Sequence, residues 1–388
     1  MKKKRKKRSA VNKIKIVLVL LVLVIAADLF IFKYAHRVIS PPPIFEEEYV
    51  TSSQLKKRID KVDQVIYESL FSLGIKKEAI TFSKIIPRHE EGLDWDFTEL
   101  SVAIDNPDFI NRLETVITKK TFILGPDVIL KTEKTSADLA VFSITIFKHS
   151  THRLKLYLRP VKAITKSARL PRVAFIIDDI GYEIPIAEAF MGLKIPVCLS
   201  VLPGAPFSKE IAQNIVKRKK EMLLHLPMEP KGYPAVNPGQ DALMLNMDRE
   251  TIQKMVREDI KKLPGIKGVN HHMGSLFSED YIKMKYVLDE IKKHNLYYID
   301  SRTTNLTVAY KVAKALGIPA AEKSLFIDND LNEKTLNYQM ERLIGIARNR
   351  GEAIGIGHPH RETLDILKRY TEQLMRDFEV VPVSELVN

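Results

Sequence analysis

The sequence predicts an α/β protein: a distorted (β/α) barrel of seven or eight units, preceded by a small α+β domain and an N-terminal transmembrane helix. Three observations predict it. From Pro171 onward, short apolar strands alternate with helical stretches, the grammar of a parallel sheet. Between residues 51 and 160, strand-like and helix-like runs occur without that alternation. Ile16 to Phe32 is apolar apart from Asp28. The chain has 388 residues, of which 45% are hydrophobic, enough for two domains with ordinary cores.

The N-terminal element follows from length and charge. Lys2, Lys3, Lys4, Arg5, Lys6, Lys7, Arg8, Lys13 and Lys15 all precede the first acid, Asp28. This basic tail, residues 1–15, stays cytoplasmic by the positive-inside rule. Residues 16–32 are 17 in number, near the short limit of about 17–25 for a spanning helix. A cleaved signal peptide would use Ala26-Ala27, but the site lacks an Ala-x-Ala pattern and hydrophobicity resumes at Leu29. An uncleaved signal-anchor is favoured. The expected location is the inner (cytoplasmic) membrane, single-pass, with the bulk exported to the periplasm or cell exterior. Beyond the tail, 52 basic residues face 48 acidic ones. That near-balance excludes nucleic acid as a partner. The single cysteine, Cys198, forms no intramolecular disulfide and sits in an apolar run as a small hydrophobe.

Residues 33–50 form a spacer stiffened by Pro41-Pro42-Pro43. In the domain at 51–160, Leu55, Ile59, Val62, Ile66 and Leu70 recur at helical spacing, predicting a helix from Thr51 to Leu73. Strand-like runs follow at Glu99–Ile104, Ala140–Phe147 and His152–Leu158, with a helix over Asn106–Thr118. No His, Cys or acid cluster with ligand spacing occurs there. The domain reads as a spacer or a protein-partner module. Residues 161–170 are basic and aperiodic, hence a linker to the barrel at 171–388.

Six of the barrel's strands share one property: His, Asn or Asp stands at their ends. Asp178-Asp179 ends the first strand, and His225 the third. Asn270-His271-His272 ends the fourth, Asp300 the fifth, Asp328 the sixth, and His358 and His360 the next. In a (β/α) barrel the C-terminal strand ends open at one mouth. A lone Asp there is usually a helix cap and a lone His a structural residue. Six strand ends carrying such residues together point to one site. Imidazoles and carboxylates suit a divalent metal, most simply zinc, held by three protein ligands. A remaining carboxylate would take a proton from water and a remaining histidine would protonate a leaving group. That is metal-assisted hydrolysis of an amide or ester. No Walker-type loop and no Gly-x-Ser-x-Gly elbow is present, which disfavours nucleotide and serine hydrolysis.

The motif set resembles the divergent branch of the NodB-like polysaccharide deacetylase superfamily of carbohydrate esterases. The carrying segments are Phe175-Ile176-Ile177-Asp178-Asp179-Ile180-Gly181, Leu199-Ser200-Val201-Leu202-Pro203 and Leu224-His225-Leu226-Pro227-Met228-Glu229-Pro230. With them go Asn270-His271-His272-Met273-Gly274-Ser275, Asp300-Ser301-Arg302-Thr303-Thr304 and Gly355-Ile356-Gly357-His358-Pro359-His360. The resemblance spans about Val173 to Val387. It implies a distorted (β/α) barrel and metal-dependent removal of acetyl groups from a polysaccharide, peptidoglycan or exopolysaccharide. It implies Asp178 as base and Asp179 as a metal ligand. The superfamily's second motif, two histidines on one segment, is absent: His225 has Glu229 four residues on. His225 and His272 are then the remaining ligands, with His271 the alternative to His272. His358 or His360 is the acid. Arg302 orients Asp178 or a substrate carboxylate. Asn270, Glu229, Asp300 and Asp328 are supporting residues, with Glu229 also readable as a loop contact and Asp328 as a helix cap. The missing motif supports a second reading, an inactive barrel that binds glycan or a partner in cell-wall remodelling. A phosphoesterase is disfavoured because the motif loops carry few bases beyond Arg302 and Arg361.

Overall fold

The computed structural model describes residues 50–136, 138–158, 170–239 and 241–388. Among these residues no helix is long and apolar enough to cross a membrane. The expected basic tail, the 16–32 anchor, the spacer as far as residue 49 and most of the 161–170 linker lie outside the described residues.

The N-terminal part begins with helix α1 (Val50–Ser72), whose buried stripe Leu55, Val62, Ile66 and Leu70 has the expected period. Strands β1 (Ile80–Glu90) and β2 (Leu93–Ala103) form an antiparallel hairpin. Helix α2 (Asp108–Leu124) follows, then β3 (Val128–Thr135), β4 (Leu139–Ile146) and β5 (His149–Tyr157). The sheet order is β1-β2-β5-β4-β3, with β2 and β5 parallel and the other pairs antiparallel. The edge strands β1 and β3 have no counterpart in the sequence reading. Both are polar and largely exposed over half their length, so no alternation marks them. The ladder to a neighbour holds them.

The second part is a curled parallel sheet wrapped by helices, the arrangement of a (β/α) barrel. Its strands are β6 (Arg172–Ile180), β7 (Cys198–Val201), β8 (Met222–Met228), β9 (Gly268–Met273), β10 (Tyr297–Asp300), β11 (Ala320–Glu322), β12 (Leu325–Phe326), β13 (Glu352–Gly357) and β14 (Glu379–Val380). The order is β11-β10-β9-β8-β7-β6-β13-β12, with β14 pairing the start of β6. The intervening helices are α3 (Ile184–Met191), α4 (Ser208–Lys217), α5 (Arg249–Lys262), α6 (Tyr281–Lys293), α7 (Ala309–Ala315), α8 (Glu333–Arg350) and α9 (Arg361–Asp377). Asp248, Asp280 and Asn332 cap α5, α6 and α8 by accepting backbone N–H bonds.

One unit departs from the repeat. Edge strands β11 and β12 are consecutive, and only Lys323-Ser324 joins them, with no helix. Lys323 N–H donates to Asp300 O and Ser324 N–H to Ile354 O, so the chain steps from one edge of the sheet to the other. The β1–β2 hairpin contacts α8 and the loop after β10. Phe82 packs on Gly345 of α8, Arg350 donates to Ile85 O at 3.1 Å, and Asn305 donates to Arg88 O at 3.0 Å.

β6, β8 and β9 are buried along both faces, as expected of strands between a barrel interior and surrounding helices. Their side chains sort into two cores. Ala174, Ile176, Cys198, Leu223, Ile299, Ile354 and Ile356 form one with Val381, Val383 and Leu386 of the C-terminal segment. Val173, Phe175, Ile177, Leu224, Val269 and Tyr298 belong to the other, with the helices. The alternation fixes which residues continue the inner set toward the strand ends: Asp178, His225, Asn270, His272 and His358.

Candidate metal centre

Asp178 follows Ala174 and Ile176 in the inner register of β6. Asp179 would by alternation point the other way, but its φ is +56° and the β6–β7 register slips between Ile177 and Ile180. This left-handed bulge turns both carboxylates toward the same place. A non-glycine residue in that region is strained, and such strain is found where function over-determines the backbone.

Three side chains converge on Asp179. Its Oδ1 lies 3.1 Å from His225 Nε2 and 2.8 Å from His272 Nδ1, and its Oδ2 lies 4.0 Å from His358 Nε2. Ligand atoms of Asp179, His225 and His272 all fall within 4.8 Å of one another, and the three residues are buried. Both Asp179 oxygens and His272 Nδ1 nevertheless have no hydrogen-bond partner: the groups are close, but not in hydrogen-bond geometry. Burial alone would push the Asp179 carboxyl up, yet the imidazoles of His272 and His225 hold it far below the usual range.

The surroundings set the tautomer of His225. Asn270 Nδ2 donates to Asp178 Oδ1 at 2.8 Å, which leaves Asn270 Oδ1 to accept from Ser200 Oγ at 2.5 Å and from His225 Nδ1 at 2.9 Å. With Nδ1 donating, the neutral imidazole directs its Nε2 lone pair at the Asp179 oxygen. Two lone pairs facing each other need a proton or a metal cation between them. Burial would lower the His225 pKa, but Asp178 and Asp179 more than offset it and raise it. One carboxylate and two imidazoles form the N/O donor set that zinc takes. The orphaned atoms, the donor chemistry and the support of His225 by Asn270 fit a divalent cation.

Asp178 is fully buried, and burial raises its carboxyl pKa against the opposing charges of His225 and His358. His358 Nδ1 lies 2.9 Å from Asp328 Oδ1, so its Nε2 is the nitrogen facing Asp179. Asp328 also accepts from His358 N–H at 2.6 Å and from Thr363 Oγ1 at 2.5 Å. Asp328 therefore does not cap α8, a place taken by Asn332. Gly357 makes room for it: a Cβ there would stand 2.8 Å from Thr363 Cγ2 and 3.2 Å from Asp328 Oδ2.

Other expected residues lie elsewhere. His271 is on the outer face of β9, its Nδ1 2.7 Å from Tyr298 Oη and its Nε2 4.0 Å from Asp300. Burial holds its pKa down to about 4. Asp300 accepts from Arg302 N–H, Thr307 Oγ1 and Tyr310 N–H, bracing the loop after β10. Arg302 donates to Asn305 at 3.2 Å and stands 3.8 Å from Glu322, so its contacts are in that loop rather than with Asp178. Glu229 Oε2 accepts from Leu245 N–H, joining two loops. His360 is half-buried at the start of α9, its ring 6.3 Å from that of His358. Ser200, Tyr298 and Thr363 were not among the expected site residues. Ser200 stands in a quoted motif, whereas nothing in the sequence marks Thr363.

The family model of the divergent polysaccharide deacetylases matches residues 175–387, from within β6 almost to the C-terminus. The chain belongs to this family. It is 30% identical over 226 residues to the uncharacterised protein YibQ of Escherichia coli K12, covering 58% of this chain and 70% of that one. An uncharacterised protein of Haemophilus influenzae is 28% identical over 220 residues, 55% of this chain and 76% of that one. The crystal structure of an uncharacterised protein from Agrobacterium tumefaciens C58 superposes with a TM-score of 0.54 at 26% identity, covering 57% of this chain and 91% of that one. In each comparison the likeness spans little more than half of this chain.

Proposed function

We propose that this member of the family is a metal-dependent hydrolase that removes acetyl groups from a cell-envelope polysaccharide. The observation that carries the proposal is the convergence of Asp179, His225 and His272 with orphaned donor atoms, beside a buried carboxylate and an oriented histidine. Asp179, His225 and His272 would hold the metal. When bound there, a divalent ion, zinc in the simplest case, would supply Lewis acidity to the acetyl carbonyl and the attacking water. Asp178 takes the proton from that water. Asn270 occupies its Oδ1 and leaves the other oxygen for the task, and its raised pKa brings it nearer the working range of a base. His358, its Nδ1 fixed by Asp328, gives a proton from Nε2 to the leaving nitrogen or oxygen. His360 is the less constrained of the pair. The buried His271 is left to bridge β9 and β10 through Tyr298.

The sequence adds the setting: a single-pass anchor at 16–32 and an exported barrel facing peptidoglycan or an exopolysaccharide. The test is acetate release from acetylated peptidoglycan and acetylated exopolysaccharide by the full chain, with and without chelation. Release that stops on chelation and returns with zinc supports the proposal. Full activity of metal-free protein contradicts it. Glycan binding with no acetate released under any metal would establish the inactive glycan-binding reading, which the single histidine of the 224–230 segment favours.

A further inference from the structure

Apart from the metal centre, α1 and helices α8 and α9 line a cavity of about 400 Å³. Its walls are aromatic. The Tyr67 ring stands edge-on to Tyr338 (centroids 5.0 Å apart, 86°) and to Phe71 (5.5 Å, 74°). Tyr370 lines the α9 side. Four carboxylates also line it: Asp60, Asp63, Glu68 and Glu341.

The cavity's own cations account for two of these acids. Lys334 donates to Glu68 at 2.9 Å. The Lys77 ammonium pairs with Glu341 and lies over the Tyr370 ring, 4.7 Å from its centroid. This pose shows what the cavity accepts: an ammonium between a carboxylate and an aromatic face. Asp63 is satisfied differently, by His152 Nε2 at 2.9 Å and Tyr338 Oη at 2.5 Å. Asp60 remains. Among the described residues it makes no hydrogen bond or ion pair. Burial and the neighbouring Asp63 push its carboxyl up to about 6, against the charges of Lys56 and Arg342, which act on it without an ion-pair contact.

We infer that this cavity is a binding site for a small primary amine in its ammonium form. Asp60 pairs with the ligand nitrogen, and Tyr67, Phe71 and Tyr338 enclose its body. A neutral ligand would leave Asp60 uncompensated, and an anion would meet an excess of carboxylates. The volume suits a body of monosaccharide size, at the lower end of the roughly 300–1,000 Å³ common for ligand sites. The same ammonium chemistry could come from a free apolar amine or from an amino sugar. The inference does not rest on the metal centre, none of whose residues Asp179, His225 and His272 lines the cavity.

Isothermal titration calorimetry on the full chain tests it, with glucosamine, cyclohexylamine and the neutral N-acetylglucosamine as probes. Saturable binding of an amine without N-acetylglucosamine binding is expected. Glucosamine alone would assign the amino-sugar source, and cyclohexylamine alone the apolar one. Asp60→Asn should weaken the amine at least tenfold, while His225→Ala should leave it unchanged even though it disables the metal centre. No saturable amine binding, equal binding of the neutral sugar, unchanged affinity in Asp60→Asn, or loss in His225→Ala would each overturn the inference. The wild-type contrast between amine and neutral sugar decides the matter even if Asp60→Asn does not fold.

Discussion

At the seam, Asp63 receives His152 Nε2 at 2.9 Å and Tyr338 Oη at 2.5 Å, joining α1, β5 and α8. At the mouth, Asp179 lies 3.1 Å from His225 Nε2 and 2.8 Å from His272 Nδ1. The residue types and spacings are nearly the same, and all these groups are buried. The difference is in direction. Both Asp63 contacts at the seam have hydrogen-bond geometry, and they hold two parts of the chain together. At the mouth both Asp179 oxygens and His272 Nδ1 are left over. Buried polar atoms without partners are rare because each costs about 1–3 kcal/mol. Their concentration at one point indicates that something else completes them.

The comparison breaks most clearly by exchanging the expected outcomes. His225→Ala should cut acetate release by about 10³-fold or more, the several kcal/mol that metal polarisation supplies. A variant that kept activity would refute the assignment. Next in size is Asp328→Asn, which removes the carboxylate charge and leaves one accepting oxygen where His358 Nδ1, His358 N–H and Thr363 Oγ1 need two. A drop of about 10²–10⁴-fold in kcat is expected, with metal content unchanged. At the seam the reverse pattern holds: Asp63→Ala strands His152 and Tyr338 and should cost about 3 kcal/mol in chemical denaturation, with acetate release per folded molecule unchanged. Gly345→Ala is smaller. Its Cβ would stand 2.8 Å from Phe82 Cδ2 and 2.9 Å from Phe82 Cβ, an overpacking cost of about 1–3 kcal/mol.

The smallest effect concerns Asp60. Its folded pKa, about 6, lies above the ordinary 3.8, so the folded state holds the proton more tightly than the unfolded chain does. Stability therefore falls as pH rises from about 4 to 6. Asp60→Asn should be the more stable protein above pH 6 and lose that advantage below pH 4, as followed by thermal unfolding across the range. A constant difference at all pH values would contradict the cause given.

Much of the barrel was legible because its strands are apolar runs with chemistry at their ends, a signal that survives without partners. The same sequence did not separate His271 from His272. Register does: with Ala174 and Ile176 inward, strand period two carries Asn270 and His272 to the inner face and His271 to Tyr298 outside. Asp179 escapes that rule through its positive φ, which no local composition announces. Asp328 read equally well as a cap because the choice depends on His358, thirty residues on. Edge strands β1 and β3 were invisible for a related reason: their stability lies in the ladder to a neighbour rather than in their own pattern.

The central claim is tested most directly by zinc content of the full chain, measured by elemental analysis beside His272→Ala and His271→Gln. About one zinc per chain, lost in His272→Ala and kept in His271→Gln, is the predicted result. Metal retained in His272→Ala, or no metal in the wild type after reconstitution, would contradict it.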